Sequence, residues 1–274
     1  MRSPFKKTSF DAFSTVSIAI ALLVMVLIGS AILAVVLNGF PYLGEALGSQ
    51  EIQFSVRTSL YTACISTALC MLLAIPTGYA LTRTNMPLKR FSSVLMELTL
   101  CLPYIVMGVC LLIIFSSPFG KWLKEIGFRV VFSRNGIIMA QLFVNLPFAV
   151  RMIRTAFSQI DVRLESIAGM LGASRWKQLT TITLPLSRNS IISTLVLTWS
   201  RAMGEFGATL MLVGVTRMKT ETLPGSIYLN ISTGDNGMAM ASATIMLLIA
   251  CTTLILTSLL NRSPKYYRSE DVVN

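Results

Sequence analysis

The sequence predicts an all-α, polytopic membrane protein with six transmembrane helices. Hydrophobic residues make up 54% of its 274 residues and charged residues only 13%, and the mean hydropathy is +0.70. A water-soluble domain could not bury that much apolar surface. Apolar runs of about 20 residues, the length that crosses the hydrocarbon as a helix, recur along the chain. The predicted spans, TM1 to TM6, are residues 16–37, 54–81, 92–115, 136–152, 186–213 and 238–260.

TM1 is expected to be a retained helix and not a cleaved signal peptide. A signal peptide has a shorter apolar core and a small-residue cleavage site, whereas this run is long enough to span the membrane. We predict three parts of the chain. Residues 1–52 hold an N-terminal segment, TM1 and a first external loop, residues 53–260 hold TM2 to TM6, and residues 261–274 form a tail.

The distribution of positive charge predicts the orientation. Most of the 23 lysines and arginines cluster beside apolar ends, in the N-terminal segment, the TM2–TM3 loop, the TM4–TM5 segment and the tail. The positive-inside rule therefore predicts a cell membrane protein, in an inner or plasma membrane, with both termini in the cytoplasm. The same clustering accounts for the net charge of +11 without a nucleic-acid partner.

Several kinds of chemistry find no support in the sequence. It has no histidine, which is the commonest metal ligand and general base. Its five cysteines fall inside apolar runs without a ligand spacing. A Gly-x-x-x-x-Gly-Lys-Ser/Thr motif is absent, so the chain is not expected to hydrolyse ATP through a P-loop. We expect no enzyme activity, no catalytic residue, no metal site and no cofactor bound by this chain.

The longest polar-rich stretch, residues 161–186, lies between TM4 and TM5. Four apolar residues in it recur at i, i+3, i+4 and i+7, the spacing of one helix face: Leu164, Ile167, Ala168 and Leu171. Gly172 is expected to end this helix, because glycine tolerates a positive φ. A short amphipathic helix at a membrane face either docks into a groove on a soluble partner or lies on the lipid. The pattern alone leaves both possibilities open.

Part of this stretch resembles a loop shared by the permease subunits of ATP-binding-cassette importers, which reads E-A-A, then G, then I-x-L-P. The middle small position departs from that pattern, because Ser166-Ile167 stands before Ala168. The resemblance implies a type I importer permease fold in which residues 161–186 form the loop that couples to the ATPase. It assigns this coupling role to Glu165, Ala168, Gly172, Ala173, Arg175, Leu184 and Pro185.

Two charged residues, Arg201 and Glu205, fall inside TM5. Each would cost about 2.5–3.5 kcal/mol at the centre of a lone membrane helix. They are four residues apart, so on a continuous helix they face the same way and can pair. Either they form an internal salt bridge that fixes helix packing, or they face a polar pathway or a subunit interface. Gly204 and Gly207 beside them allow helix backbones to come close.

Two prolines and one asparagine predict breaks in other spans. Pro103 follows Leu102 in TM3, and Asn145 and Pro147 lie inside TM4. Broken helices in transporters tend to line a cavity, although a proline kink is also common in membrane helices without such a role. We hypothesise that the breaks in TM3, TM4 and TM5 face one shared cavity, which would be a pathway or gate.

A closer resemblance is carried by residues 145–157, 171–175, 201–210 and 219–228, which look like the permeases for molybdate and tungstate. It covers roughly residues 54–260. Sulfate and thiosulfate permeases share much of it, including the Gly-Glu-Phe-Gly region, so the oxyanion class is better supported than the choice among oxyanions.

This resemblance implies several partners in addition to the membrane lipid. They are a second copy of the chain, two ATPase subunits that carry ATP and Mg²⁺, and an extracytoplasmic binding protein that sits on the loops near residues 38–53, 116–135 and 214–237. The implied function is translocation of molybdate or tungstate delivered by that binding protein. The alternatives are a sulfate or thiosulfate permease and, from another class, a channel or scaffold that works without an ATPase.

Overall fold

A computed structural model describes residues 12–260 of the chain. The predicted N-terminal cytoplasmic segment falls largely on residues 1–11 and the predicted tail wholly on residues 261–274, outside the described part. Within it, the helices α1 to α14 are Ala12–Gly39, Leu43–Gly48, Gln50–Arg83, Lys89–Cys101, Tyr104–Ser116, Pro118–Glu125, Arg134–Ser158, Val162–Met170, Arg175–Gln178, Leu184–Leu186, Arg188–Met203, Gly207–Val213, Leu223–Ser232 and Asn236–Leu260. A 3₁₀ turn, Phe40–Tyr42, follows α1, and a π-helical turn, Leu179–Thr183, follows α9.

Among residues 12–260, four helical stretches are long and apolar enough to cross a membrane, namely α1 with the short helix after it, α3, α7 and α14. Helices α4 and α5 make a fifth span if they are counted together, although they meet at an angle of 114° at Leu102-Pro103. The predicted break in TM3 is therefore confirmed. The count of six spans requires that α11 and α12 also form one interrupted span.

The span predicted as TM5 is interrupted, so it is not the continuous helix on which the pairing of Arg201 with Glu205 depended. Helix α11 ends at Met203 and α12 begins at Gly207. Gly204 caps the end of α11, and the side chain of Glu205 accepts a hydrogen bond from the Ala208 N–H at 2.7 Å. A side chain that accepts from a free backbone N–H favours a new helix start over continuation of the old helix.

The predicted break in TM4 is also wrong. Helix α7 runs without interruption through Asn145 and Pro147 and continues to Ser158, past the predicted end of the span. A proline removes one backbone hydrogen bond, and packed neighbours can hold the helix together around it. Here Pro147 is buried, and α7 packs against α3 along most of its length, with Cys70, Ala149, Ile153 and Phe157 in the shared core.

The predicted loops contain more helix than expected. Helix α2 and the start of α3 occupy part of residues 38–53, and α13 occupies the centre of residues 214–237. Thr222 begins α13 by accepting a hydrogen bond from the Gly225 N–H. Helix α6 lies within residues 116–135, which were also predicted to be a loop. Helix α1 lies at the periphery and packs mainly on α14, so TM1 is an outer helix in this structure.

Candidate functional site

The segment between α7 and α11, residues 161–186, folds as the spacing predicts. Asp161 caps α8, because its Oδ1 accepts a hydrogen bond from the Arg163 N–H at 2.9 Å. The helix ends at Met170, and Gly172 just beyond it has a φ of +86°. The Ala173 N–H then donates to the Ala168 carbonyl at 2.9 Å, closing the last turn. The prediction of a short helix stopped by Gly172 is confirmed, and we call this stretch the interhelical segment.

Glu165 points back into the protein and is only 2% exposed. Its Oε1 accepts from the Arg83 Nε at 2.9 Å and from the Thr183 hydroxyl at 2.7 Å. The same guanidinium donates through Nη2 to the carbonyls of Phe157 at 2.9 Å and Ile160 at 3.0 Å. One arginine at the end of α3 thus joins the end of α7, helix α8 and the turn that leads to α11.

The outer face of the interhelical segment is apolar and open. The exposed fractions are 52% for Ile167, 79% for Met170, 84% for Leu171 and 72% for Trp176, and Leu164 is also exposed. An exposed apolar patch of this kind marks a surface that meets lipid or another protein. Arg175 and the half-buried Ala173 line a groove beside this face, together with Ser166, Gly169 and Ser174.

The end of the interhelical segment is built differently from its start. The Gln178 Nε2 donates to the Ala173 carbonyl at 2.9 Å, which fixes the turn after Gly172. Leu184 packs on the core between α3 and α7, whereas Pro185 is exposed at the start of the last turn before α11. The residues assigned to ATPase coupling therefore split into an inward set that anchors the segment and an outward set that is free to contact a partner.

A second candidate site is a cavity inside the membrane domain, lined by Tyr104, Asn145, Arg201, Gly204 and Glu205. Tyr104 directly follows Pro103 at the α4–α5 bend, Asn145 lies on α7, and the other three lie at the α11–α12 break. The structure thus brings residues from all three predicted break regions around one cavity, although α7 itself is unbroken and Pro147 lines a separate apolar pocket. We call it the Arg201 cavity.

Arg201 is held by neutral partners. Its Nε donates to the Asn145 Oδ1 at 3.2 Å and its Nη2 donates to the Tyr104 hydroxyl. The guanidinium carbon also lies 4.6 Å from the centroid of the Phe148 ring, within the range of a cation–π interaction. The guanidinium is therefore positioned without a carboxylate in contact with it.

Of the two alternatives for Arg201 and Glu205, the internal salt bridge is wrong. Both residues are described, and no ion pair joins them. The pairing required a continuous helix, but α11 ends between the two residues. Glu205 is 2% exposed and uses Oε1 to accept from the Ala208 N–H, while its Oε2 has no hydrogen-bond partner among the described residues.

The two glycines beside these residues differ in their surroundings. A Cβ on Gly207 would lie 3.2 Å from the Tyr104 Cβ and 3.3 Å from the Ile105 N, so α12 and α5 approach closely there. A Cβ on Gly204 would meet its nearest atom, the Met246 Cε, at 3.4 Å, which is an ordinary contact. The expected close backbone approach is confirmed at Gly207 only.

A buried polar network was not predicted. The Ser66 hydroxyl donates to the Gln141 Oε1 at 3.0 Å, and the Gln141 Nε2 donates to the Ala202 carbonyl at 2.9 Å, which joins α3, α7 and α11. Small polar residues follow one face of α3 and are all buried: Ser55, Ser59, Thr62 and Ser66. Their spacing of i, i+4, i+7 and i+11 is the signal that could have identified this face.

Another unpredicted cluster lies on the loop between α12 and α13, at residues 214–222. Arg217 forms an ion pair with Glu51 and donates to the Asn230 Oδ1 at 2.9 Å. Glu221 is fully buried and accepts from the Met218 N–H at 3.2 Å. Burial raises the pKa of the Glu221 carboxyl above its ordinary value, against the lowering effects of that hydrogen bond and of the Arg217 charge.

No group of three or more metal-ligating side chains occurs within residues 12–260. Both sites described above offer charged and hydrogen-bonding groups.

Comparison with known proteins agrees with this architecture. Residues 71–265 match the family described as the binding-protein-dependent transport system inner membrane component. The molybdenum transport system permease protein ModB of Mycobacterium tuberculosis is 35% identical over 205 residues, covering 74% of this chain and 77% of that protein. The molybdate/tungstate transport system permease protein WtpB of Thermococcus kodakarensis is 36% identical over 157 residues, covering 57% of this chain and 59% of that protein.

Two further similarities cover nearly the whole chain. The sulfate transport system permease protein CysW of Synechocystis is 26% identical over 270 residues, covering 96% of this chain and 97% of that protein. Among solved structures, a bacterial alginate ABC transporter in complex with its alginate-bound periplasmic protein has a chain that aligns with a TM-score of 0.70. That chain is 18% identical, with 91% of this chain and 94% of the other covered, so the likeness is one of fold.

Proposed function

Since this chain belongs to the family of binding-protein-dependent transport system inner membrane components, we propose that it is the permease subunit of an ATP-driven importer of molybdate and tungstate. The chain is a multi-pass membrane protein and a transport component, not an enzyme. Relatives named for molybdenum and for molybdate/tungstate transport, at 35% and 36% identity, support this substrate class.

The proposed complex contains two copies of the chain, two ATPase subunits and an extracytoplasmic binding protein. ATP and Mg²⁺ are held by the ATPase subunits, and ATP is hydrolysed there. Both termini and the interhelical segment lie on the cytoplasmic side, where the excess of lysine and arginine beside the apolar spans favours them. The loops near residues 38–53, 116–135 and 214–237 face the binding protein.

The observation that carries this proposal is the structure of the interhelical segment. Its outward face presents Ile167, Leu171 and Trp176, which suits a groove on a soluble subunit. Its inward side is fixed by the buried Arg83–Glu165 ion pair. A segment that is apolar outside and anchored inside can transmit movement of an attached subunit to α3, α7 and α11.

In this mechanism, ATP binding closes the ATPase dimer and draws the two interhelical segments together. Because each segment is bonded to the ends of α3 and α7 through Arg83, the helices move with it and the pathway opens outward. Such coupling is a shift in population between two conformations of the membrane domain.

The test of coupling uses two glycines with the same backbone strain. Gly172 has a φ of +86° and Gly234 a φ of +82°, and a Cβ at either position meets nothing within 4 Å. A β-branched residue is disfavoured at such a φ. We expect Gly172→Val to abolish capture of the ATPase subunit and uptake of labelled molybdate, and Gly234→Val, after α13, to leave capture intact. Gly172→Asp should be milder, because aspartate tolerates this region better.

Intact ATPase capture and uptake in Gly172→Val would reject the coupling role. It would favour the alternative from another class, a channel or scaffold that does not need an ATPase.

A sulfate or thiosulfate permease is the second candidate, favoured by the sulfate transport relative that covers 96% of this chain. Competition separates the two. Uptake of labelled molybdate by the assembled complex is measured with excess tungstate, sulfate or phosphate. We expect tungstate to compete best. Stronger competition by sulfate would assign the chain to the sulfate group, and a preference for phosphate would overturn the proposed substrate class.

A further inference from the structure

We propose that the Arg201 cavity is a transient binding site for the transported oxyanion, in which Arg201 contacts the anion and Glu205 keeps the affinity low. The inference rests on the proposed function, since it concerns the path of the same anion through the membrane. It assigns to the permease a direct contact with its substrate, in addition to any recognition by the binding protein.

The first argument is the state of the Arg201 charge. A guanidinium has five N–H donors in a planar fork that matches the oxygens of an oxyanion. Here one donor bonds Asn145 and one bonds Tyr104, and the others have no hydrogen-bond partner among the described residues. Both partners are neutral, so the positive charge is oriented without being cancelled by contact with a carboxylate.

The second argument is the shape of the surroundings. The cavity is partly open and has a volume of about 210 Å³, several times the roughly 30 Å³ that one water molecule occupies, so a small anion with some of its water fits. Phe148 covers one face of the guanidinium at 4.6 Å. The remaining edge is therefore the part of Arg201 available to an anion.

The third argument is the position of Glu205 beside this cavity. Its Oε2 is buried and has no hydrogen-bond partner in the described part of the chain, and its Oε1 is engaged at the start of α12. A carboxylate next to a guanidinium lowers the affinity for an anion without preventing its approach. A transport site requires such a balance, because the anion must bind well enough to enter and weakly enough to leave.

This arrangement predicts opposite effects for two neutral substitutions. Arg201→Gln removes the attraction and Glu205→Gln removes the repulsion, while glutamine at 205 can still accept from the Ala208 N–H. If the two residues only maintained the fold, both variants would impair it. The matched control is Arg154→Gln, which removes the same charge from a half-buried arginine of α7 that donates to the Ser93 hydroxyl outside this cavity.

The experiment uses the full complex in proteoliposomes, with the ATPase subunits and the molybdate-loaded binding protein. We expect Arg201→Gln to reduce molybdate uptake about tenfold, the effect of losing one charge-assisted hydrogen bond, while ATP hydrolysis stimulated by the binding protein falls by a smaller factor than uptake does. Arg201→Lys, which keeps the charge, should restore part of the uptake, and Arg154→Gln should lose less uptake than Arg201→Gln.

A second measurement follows equilibrium binding of labelled molybdate to the permease–ATPase complex without the binding protein. We expect Glu205→Gln to bind more molybdate than wild type and Arg201→Gln to bind less. Three results would each reject the proposed binding site. They are weaker binding in Glu205→Gln, unchanged uptake in Arg201→Gln, and a parallel fall of uptake and ATP hydrolysis in Arg201→Gln. Failure of the proposed function is a separate result, in which the wild-type complex itself takes up no oxyanion.

Discussion

The guanidinium of Arg83 and the carboxylate of Glu165 form a buried ion pair with an Nε–Oε1 distance of 2.9 Å. The two side chains are 6% and 2% exposed. The pair connects the end of α3 to helix α8, and the same arginine bonds two carbonyls at the end of α7. The interhelical segment is therefore attached to the membrane domain by charge and hydrogen bonds as well as by its chain ends.

Removing one partner of this pair should lower the stability of the folded protein. Glu165→Gln keeps an acceptor for Thr183 but leaves the Arg83 guanidinium buried without a countercharge, and breaking a buried pair in this way costs about 3–5 kcal/mol. We expect a lower Tm of the purified protein in detergent and weaker capture of the ATPase subunit. Thermal unfolding and pull-down measure the two effects.

The control for this change is Glu51→Gln, which removes the partner of Arg217 in a pair whose side chains are 43% and 34% exposed. Exposed pairs contribute at most about 1 kcal/mol, so the Tm should change little. Equal losses of Tm in the two variants would show that the Arg83–Glu165 pair has no special structural role.

Thr183→Val tests the second bond to Glu165. The threonine hydroxyl donates to the Glu165 Oε1 at 2.7 Å and is fully buried. Valine has nearly the same shape but no donor, and the loss of a hydrogen bond to a charged group costs about 1.5–3 kcal/mol. We expect a lower Tm and faster hydrogen exchange across residues 179–187, read by mass spectrometry.

Thr181→Val is the matched control, because the exposed Thr181 donates only to the Lys177 carbonyl in its own turn. Substitutions at exposed positions of this kind usually change the free energy of unfolding by no more than about 0.5 kcal/mol. In the Glu165→Gln background the effect of Thr183→Val should shrink, since the two residues share one interaction. Additive effects would contradict a shared network.

The features predicted correctly from the sequence depend on local patterns. Apolar runs located most of the spans, and the spacing around Ile167 together with Gly172 located helix α8. Two other features could not be predicted from such patterns. Arg83 and Glu165 are 82 residues apart in the chain, and no local pattern links them. The break in TM5 depends on where the Glu205 carboxylate points, which the i, i+4 spacing to Arg201 misrepresented.

Gly108→Ala tests the contact between α5 and α12. A Cβ on Gly108 would lie 2.7 Å from both the Cα and the carbonyl oxygen of Ala208, and backbone atoms cannot move aside as a flexible side chain can. Overpacking of this kind lowers the free energy of unfolding by about 1–3 kcal/mol. We expect a lower Tm and, because Ala208 binds the Glu205 carboxylate, a change in anion binding at the Arg201 cavity.

Gly29→Ala serves as the control, since a Cβ on Gly29 in the peripheral helix α1 meets nothing within 4 Å. It should leave the Tm unchanged or raise it slightly, because alanine is the better helix former. A Tm loss from Gly29→Ala as large as that from Gly108→Ala would show that steric contact with Ala208 is not the cause.

The buried carboxyl of Glu221 predicts a dependence of loop stability on pH. Its pKa is raised by burial, so the folded loop binds the proton more tightly than the unfolded loop does. The stabilisation from protonation is fully present below the pKa of the unfolded chain, about 4.3, and is lost as the pH rises through the higher pKa of the folded state. The groups that face this carboxyl are Arg217, Glu51 and Ser226.

Glu221→Gln imitates the protonated form and can keep the acceptor for the Met218 N–H. We therefore expect the variant to slow hydrogen exchange across residues 214–222 relative to wild type at pH 8, and the difference to shrink as the pH is lowered to 5, after correction for the intrinsic exchange rate. Glu51→Gln removes the ion pair with Arg217 and should not reproduce this pattern, because Glu51 is partly exposed. A difference that is independent of pH would mean that Glu221 stays ionised throughout and that its burial does not control the loop.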